Sequence, residues 1–428
     1  MKKIYVLLAM IAGSFSLPAQ QSDGCATMDV YHQHRQDPAV AAHIDQVQSS
    51  ARQWLATHQG QTTNRAGGPV ITIPVVVHVV YITAAQNISD QQIYSQIAVL
   101  NQDYRRLNAD TVNTPTIFDS LAADVGIEFC LASIDPNGNP TNGITRTSSS
   151  GGSFGAFFNP LTEDVKSAAT GGCDPWPTDQ YLNIWVCNLF TGLLGYAQFP
   201  GDAPATDGVV ITTNAFGTIG TVTAPFSLGR TTTHECGHWF GLYHIWGDDQ
   251  DCVTGSDSIP DTPNAASSSP SDCDPTRNSC SNEDPFWGSV DPNDMVQNYM
   301  DYSSDSCMNL FTLGQKARMM SFLFGDSARF ALFSSPGGCN PLGTQEFTFD
   351  RYFNVYPNPT NGQVMVSYFG KWDASMIVDV LDITGKVVRS QAISQYNYSI
   401  DLSSLAAGVY TLRFSGNAGV ATRKIVKQ

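Results

Sequence analysis

An α/β (α+β) domain on a twisted mixed sheet, with an all-β sandwich behind it, is the fold class that this 428-residue sequence predicts. Three observations predict it. The run "VITIPVVVHVVY" (70–81) is apolar and β-branched, as a strand buried on both faces must be, and helical spacing follows it. A histidine-rich stretch, "THECGHWFGLYH" (233–244), repeats at four-residue spacing and so belongs on a helix. Beyond "SSPGGCNPLGTQE" (334–346) the pattern changes to short strands at intervals of roughly eight to twelve residues, the mark of a small sandwich.

Taken in order, residues 1–19 carry two lysines, an apolar run of about ten residues and small residues near Ala19, which reads as a secretory signal peptide. The run is too short for a membrane span, and no later stretch is long and apolar enough to be one. The mature protein is therefore expected to be soluble and outside the cytoplasm. Residues 20–68 are polar, rich in Gln and Ala, and close on "TTNRAGGP", the punctuation of a boundary; they read as a propeptide. The α/β domain is placed at 69–333. After its first strand, Ile93, Ile97, Leu100 and Tyr104 keep one helical face, with Ser89 or Asp90 as cap. Further strands are expected at 126–134, 181–189 and 208–212, and 245–310 is loop-rich. Residues 334–346 are a linker, and 347–428 hold the strand candidates "MIVDVLD", "KVVRSQAI", "YNYSIDL" and "GVYTLRF".

Charge is uneven. Between Glu235 and Leu310 fourteen Asp or Glu face one basic residue, Arg277, whereas 347–428 hold five acidic and eight basic residues. Nucleic acid is excluded as a partner of the acidic part, since phosphate binding needs the opposite sign. The acidic loops are either solvated surface or cation sites. Ten cysteines in an exported chain make a few disulfides plausible.

In "HECGHWFGLYH", His234 and His238 project from one helical face and grip one ion together. Glu235, beside the first of them, is placed to hold a water on that ion without ligating it. Gly241 ends the helix with positive φ, so that the chain returns His244 from another direction. Three nitrogen ligands leave one position open, which marks a catalytic zinc rather than a structural one. Cys236 lies two residues from each helical histidine, about 200° around the helix, and so reads as a buried small side chain.

The pattern H-E-x-x-H-x-x-G-x-x-H with a downstream Met turn is the metzincin signature. "NYMDYSSDSCMNLFTLGQ" (298–315) resembles the Met turn of the pappalysin branch, the ulilysin-like and cytophagalysin-like peptidases. "YLNIWVCNL", "LLGYAQFPG" and "DSIPDTP" fit the same family. The resemblance implies a metzincin-type catalytic domain with an active-site helix, acting as a zinc-dependent endopeptidase on proteins or peptides. Carried over, it makes His234, His238 and His244 the zinc ligands, Glu235 the general base, Met300 the apolar floor and Tyr302 the oxyanion partner. It further implies structural calcium, for which Asp248, Asp249, Asp251, Asp257 and Asp261 are candidates, and disulfides Cys252–Cys280 and Cys273–Cys307. Cys130, Cys173, Cys187 and Cys339 stay unassigned. By the same likeness Asp305 sits in the pocket after the scissile bond and favours Arg or Lys, the alternative being a surface or calcium role. "GCATMDVYHQHR" (24–35) places Cys25 early in the propeptide, where a thiolate offers a fourth ligand that silences the precursor; an incidental cysteine is the bland alternative.

"VYPNPTNGQVMVSY", "VLDITGKVV", "IDLSSLAAGVYTLRF" and the closing "RKIVKQ" resemble the sorting domain read by the type IX secretion machinery, which is then an expected partner. A catalytically silent, zinc-containing adhesive or binding protein is the rival reading. The intact Glu235 argues against it, because a structural site needs no base.

Overall fold

The computed structural model describes residues 24–58, 70–152, 156–248, 252, 256–269, 273–281, 285–325, 329, 331–332, 335, 337–339, 353–368, 376–393, 397–416 and 419–428. The expected signal peptide and most of the expected linker lie outside the described residues.

The described residues open with two helices, α1 (Thr27–His34) and α2 (Pro38–Thr57), in the segment read as propeptide. Asp37 caps α2, its carboxylate accepting from Ala39 N at 2.8 Å with Pro38 in the first turn, the pairing that fixes a helix start. Ile44, Val47, Ala51 and Trp54 fall on one stripe of α2 and are buried. That stripe packs on α6 (Leu313–Phe324), where Arg318 donates to Gln48 at 3.1 Å.

The central sheet is built on β1 (Ile71–Tyr81), buried along almost its whole length as its apolar run requires. β2 (Ile127–Leu131) and β3 (Ile144–Ser148) both pair with it in parallel, β2 with its first half and β3 with its second; β4 (Leu182–Cys187) also pairs parallel to it. β6 (Val209–Thr212) extends the sheet, and β5 (Gly195–Ala197) closes it as an antiparallel edge, giving the order β2-β1-β4-β6-β5. β3 and β5 are additions to the expected strands: β5 is three residues long and begins on glycine, too short for a period to show.

Helix α3 (Asp90–Tyr104) starts at Ser89, whose hydroxyl accepts from Gln92 N at 3.2 Å, and buries Ile93, Leu100 and Tyr104 as their spacing predicts. It holds α5 (Arg230–Trp239) in place. Tyr104 Oη donates to Thr233 O at 3.1 Å, Thr233 Oγ1 donates to Asp103 at 2.7 Å, and Arg230 Nε pairs with Asp103 at 3.0 Å. A four-residue turn, α4 (Thr116–Asp119), intervenes. Cys252 joins Cys280 and Cys273 joins Cys307, while Cys130 on β2 joins Cys339. Cys25, Cys173, Cys187 and Cys236 remain thiols.

The C-terminal part is all β. β7 (Phe353–Tyr356), β8 (Gln363–Tyr368) and β11 (Asn397–Asp401) form one antiparallel sheet; β9 (Ile377–Leu381), β10 (Val387–Ala392), β12 (Gly408–Gly416) and β13 (Gly419–Lys427) form the other. Inward residues alternate, with Val364, Val366 and Ile400 buried on the first and Val378, Val380, Leu412 and Phe414 on the second. Among the described residues no helix is long and apolar enough to cross a membrane.

Candidate metal centre and cleft

Helix α5 ends where the sequence requires. Phe240 is its last half-turn and Gly241, at φ 93°, reverses the chain; a side chain there would be strained and would meet the Phe322 ring. The reversal returns His244 to the helical pair. His238 Nε2 lies 3.1 Å from His234 Nε2 and 3.0 Å from His244 Nε2.

These contacts are not hydrogen bonds. His234 Nδ1 is 2.7 Å from Tyr299 O, His238 Nδ1 is 2.7 Å from Leu242 O, and His244 Nδ1 faces Asp248 Oδ1. Carbonyl and carboxylate oxygens only accept, so each Nδ1 carries the proton and each neutral ring turns a bare Nε2 lone pair inward. Three lone pairs about 3 Å apart repel unless a cation lies between them, and nitrogen donors of this kind suit zinc. Protons do not fill the place: burial, then the neighbouring His244, pushes His234 down to about 3 and His238 well below the ordinary histidine value.

The Met turn lies beneath. Met300 is fully buried, and its sulfur packs so close under Gly237 that a Cβ there would fall 2.4 Å from it. Asn298 sets the turn, accepting from Met300 N at 2.9 Å and exchanging amide bonds with Gln315. The same turn supplies the Tyr299 carbonyl that orients His234. Tyr302 stands over the site, its ring 4.8 Å from that of His244 and 5.7 Å from that of His234.

Residues 24–27 lie in the cleft. Leu194 N donates to Gly24 O at 2.6 Å and Ala26 N to Gly195 O at 3.1 Å, so the segment adds itself in parallel to the edge strand β5. Cys25 Sγ and the three histidine nitrogens all lie within 4.8 Å of one another, the one such group of His, Cys, Asp and Glu among the described residues. The thiol is 3.5 Å from Glu235 Oε2, Thr27 Oγ1 donates to that oxygen at 2.9 Å, and Tyr302 Oη donates to Cys25 O at 3.4 Å. Enclosure raises Glu235 to about 8. Burial and the Glu235 charge raise Cys25, both of which a divalent cation among the histidines opposes. Thr27 had no signature in the sequence beyond its closeness to Cys25.

A cavity of about 400 Å³ opens beside this point, lined by Leu194, Phe226, Thr231, His234, Asp305 and Met308 among others. Asp305 is buried, with Oδ2 accepting from Leu228 N at 2.7 Å and Arg230 N at 3.3 Å; Oδ1 has no hydrogen-bond partner, and burial raises the carboxyl to about 6.

Of the five acidic residues considered for calcium, the three among the described residues, Asp248, Asp257 and Asp261, do not gather into one cluster. Asp248 orients His244 through Oδ1 and leaves Oδ2 without a protein donor. Asp257 accepts from Ile259 N and Thr262 Oγ1 within its own loop, and Asp261 from Thr312 Oγ1 and Gly314 N, which ties the loop to the start of α6. Asp249 and Asp251 lie outside the described residues. Cys236 is buried behind α5, as the helix angle requires. Cys173 Sγ lies 3.5 Å from His78 Nδ1, and His78 Nε2 lies 2.9 Å from Asn183 Oδ1. Burial holds His78 down at about 4.

Residues 169–324 match the family described as pregnancy-associated plasma protein-A, and 354–428 match the secretion system C-terminal sorting domain. An extracellular metalloprotease of Pyricularia oryzae is 32% identical over 327 residues, covering 74% of this chain and 94% of the relative. One from Colletotrichum graminicola is 32% identical, covering 75% and 98%. Among solved structures, Tannerella forsythia mature mirolysin in complex with a cleaved peptide is 50% identical at TM-score 0.57, covering 62% of this chain and 96% of that one. A promirolysin mutant from the same organism is 44% identical at TM-score 0.63, covering 74% and 99%.

Proposed function

Because the chain belongs to the pappalysin family of secreted zinc metalloendopeptidases, we propose that it is made as a latent precursor whose own residues 24–58 close the cleft. The observation that carries this reading is that two residues of one short segment engage the histidines, Glu235 and Tyr302 together. Cys25 meets the histidines, its carbonyl holds Tyr302, and Thr27 holds Glu235. We place the propeptide at 20–68, after a signal peptide at 1–19, the catalytic domain at 69–333, a linker at 334–346 and the sorting domain at 347–428. The sorting domain directs export by type IX secretion.

His234, His238 and His244 hold zinc, which when bound polarises the scissile carbonyl and lowers the pKa of water to about 7. The chain's residues do the rest. Tyr299, Leu242 and Asp248 lock each imidazole in the tautomer that presents Nε2. Once Thr27 and Cys25 leave, Glu235 takes the proton of the attacking water and delivers it to the departing amine nitrogen. Tyr302 Oη, freed from Cys25 O, donates to the oxyanion that develops on the carbonyl. Asp305, which lines the cavity beside the histidines and keeps one carboxylate oxygen unpartnered, faces the side chain after the scissile bond in this reading and favours Arg or Lys. We assign calcium to the loop that begins at Asp248, with Asp257 and Asp261 as loop ties; adding chelator while zinc is kept saturated lowers the melting temperature, and an unchanged value removes the assignment.

Cleavage of casein by the mature protein tests the function. A chelator abolishes it, and Glu235→Ala lowers it about 10²–10⁴-fold while zinc content holds. Absence of cleavage under every condition refutes the reading.

A further inference from the structure

His34, the last residue of α1, seats its ring between two carboxylates of the expected catalytic domain. Nδ1 is 2.7 Å from Asp202 Oδ2 and Nε2 is 3.2 Å from Glu163 Oε2. Both nitrogens face acceptors, so the ring is an imidazolium, and its pKa is raised to about 9, by Asp202 first and Glu163 next. Gln198 Nε2, 3.4 Å from Nδ1, is the other polar neighbour and donates to Thr206 Oγ1.

The carboxylates are held from behind by groups that stay when the propeptide leaves. Asp202 Oδ1 accepts from Ala203 N at 2.6 Å, and Glu163 Oε1 accepts from Lys166 Nζ at 2.6 Å. Lys166 is itself fixed by Gln198 and by the Trp185 and Tyr196 rings. Asp202 is 1% exposed at its side chain and Glu163 10%. Two carboxylates and one lysine leave a single negative charge, which His34 neutralises. Removing α1 therefore leaves a preorganised place with two oxygens uncovered and one cation missing.

Its position relative to the metal follows from β5. The Asp305 cavity lies by Leu194, at the start of β5. Asp202 lies past the other end, beyond Phe199, whose ring is 5.6 Å from that of His238 and 5.0 Å from that of Tyr31 on α1. The two acidic sites thus flank the histidines from opposite sides.

We infer that Glu163 and Asp202 form a second, cation-binding subsite of the mature enzyme, which takes an arginine or lysine of the substrate on the amino-terminal side of the scissile bond and which His34 occupies in the precursor. The side assigned rests on the reading of Asp305 as the pocket after the bond. A guanidinium presents planar N–H groups to two acceptors as the imidazolium does, and an ammonium meets them as a point charge.

The test uses the mature enzyme and quenched peptides with one cleavable bond. A single arginine is moved step by step through the positions before that bond, against neutral, nearly isosteric citrulline. One upstream position is expected to show about tenfold higher kcat/KM for arginine, shrinking in high salt and lost in Asp202→Asn. Equal cleavage of arginine and citrulline peptides at every upstream position overturns the inference, and so does a preference that survives in a folded Asp202→Asn enzyme. If that variant does not fold, the wild-type series decides alone. Moving the arginine after the bond, with Asp305→Asn as control, reports separately on the Asp305 reading.

Discussion

The grip of His34 on the catalytic domain predicts that the free propeptide peptide 24–58 inhibits the mature enzyme in a pH-dependent way. In the free peptide the imidazole titrates near 6.5; docked between Asp202 and Glu163 it is raised to about 9. A group raised on docking contributes binding that is fully present below its free value and is lost as pH rises through its docked value. The window therefore runs from 6.5 to about 9. Two and a half pH units correspond to about 3 kcal/mol at most; partial solvent access to the ring reduces this to roughly 1–2 kcal/mol, or about tenfold in the inhibition constant. The groups facing His34 are Asp202, Glu163 and Gln198, with Lys166 behind Glu163. The Glu163 carboxyl is held below the ordinary range although burial opposes it, by Lys166 and then His34. The inhibition constant is measured from pH 6 to about 9.5 for the wild-type and His34→Gln peptides. Titration at the zinc and at Cys25 is common to both, so their ratio isolates His34. The ratio should fall about tenfold toward high pH. A ratio constant with pH refutes the ion-pair account.

Three further outcomes follow from the cleft. The Cys25→Ala precursor cleaves casein before any processing, seen as activity of the intact chain by mass; a precursor silent until cut removes the thiol from latency. Asp305→Asn loses the preference for Arg or Lys after the bond; in the wild type that preference weakens as pH falls through about 6, where the carboxyl protonates, and a pH-independent preference argues against the carboxylate. When the chain is cut between 58 and 70, the propeptide still co-elutes with the enzyme and activity lags the cut; activity rising in step with the first cut would show that the docked helices hold nothing.

The histidines, Glu235, Met300 and the Cys236 position were legible because helical spacing and a close downstream turn place them, and both are local. Strand β1 and helix α3 were legible for the same reason, by continuous apolar character and by a cap with period. What sequence reading did not show is held together at a distance. Strand β5 has three residues and no period, yet it is the rail on which Gly24–Ala26 lie. Thr27 and Glu235 are joined across 208 positions by one hydrogen bond. The His34, Glu163 and Asp202 triplet comes from three segments, none with a local signature, and α1 and α2 lie in a segment whose polarity read only as a propeptide. The acidic loop was less legible: composition does not separate carboxylates that bind a cation from those that, like Asp257 and Asp261, accept from hydroxyl and amide donors of the protein.

The division of labour within residues 24–58 follows from what each part touches. Residues 25–27 meet the reacting groups but bury little apolar surface, so they block the site without anchoring the segment. α2 buries Ile44, Val47, Ala51 and Trp54, with about 1.5–3 kcal/mol available from each large side chain before the cost of ordering. His34 stands between the two and adds charge specificity. A thiol placed at a metal by a weakly held strand would exchange with substrate; one placed by a helix anchored on α6 and an imidazolium locked between two carboxylates is held there at high local concentration. Under the proposed latency the distant anchors hold the segment in place, and Cys25 is the point at which they act.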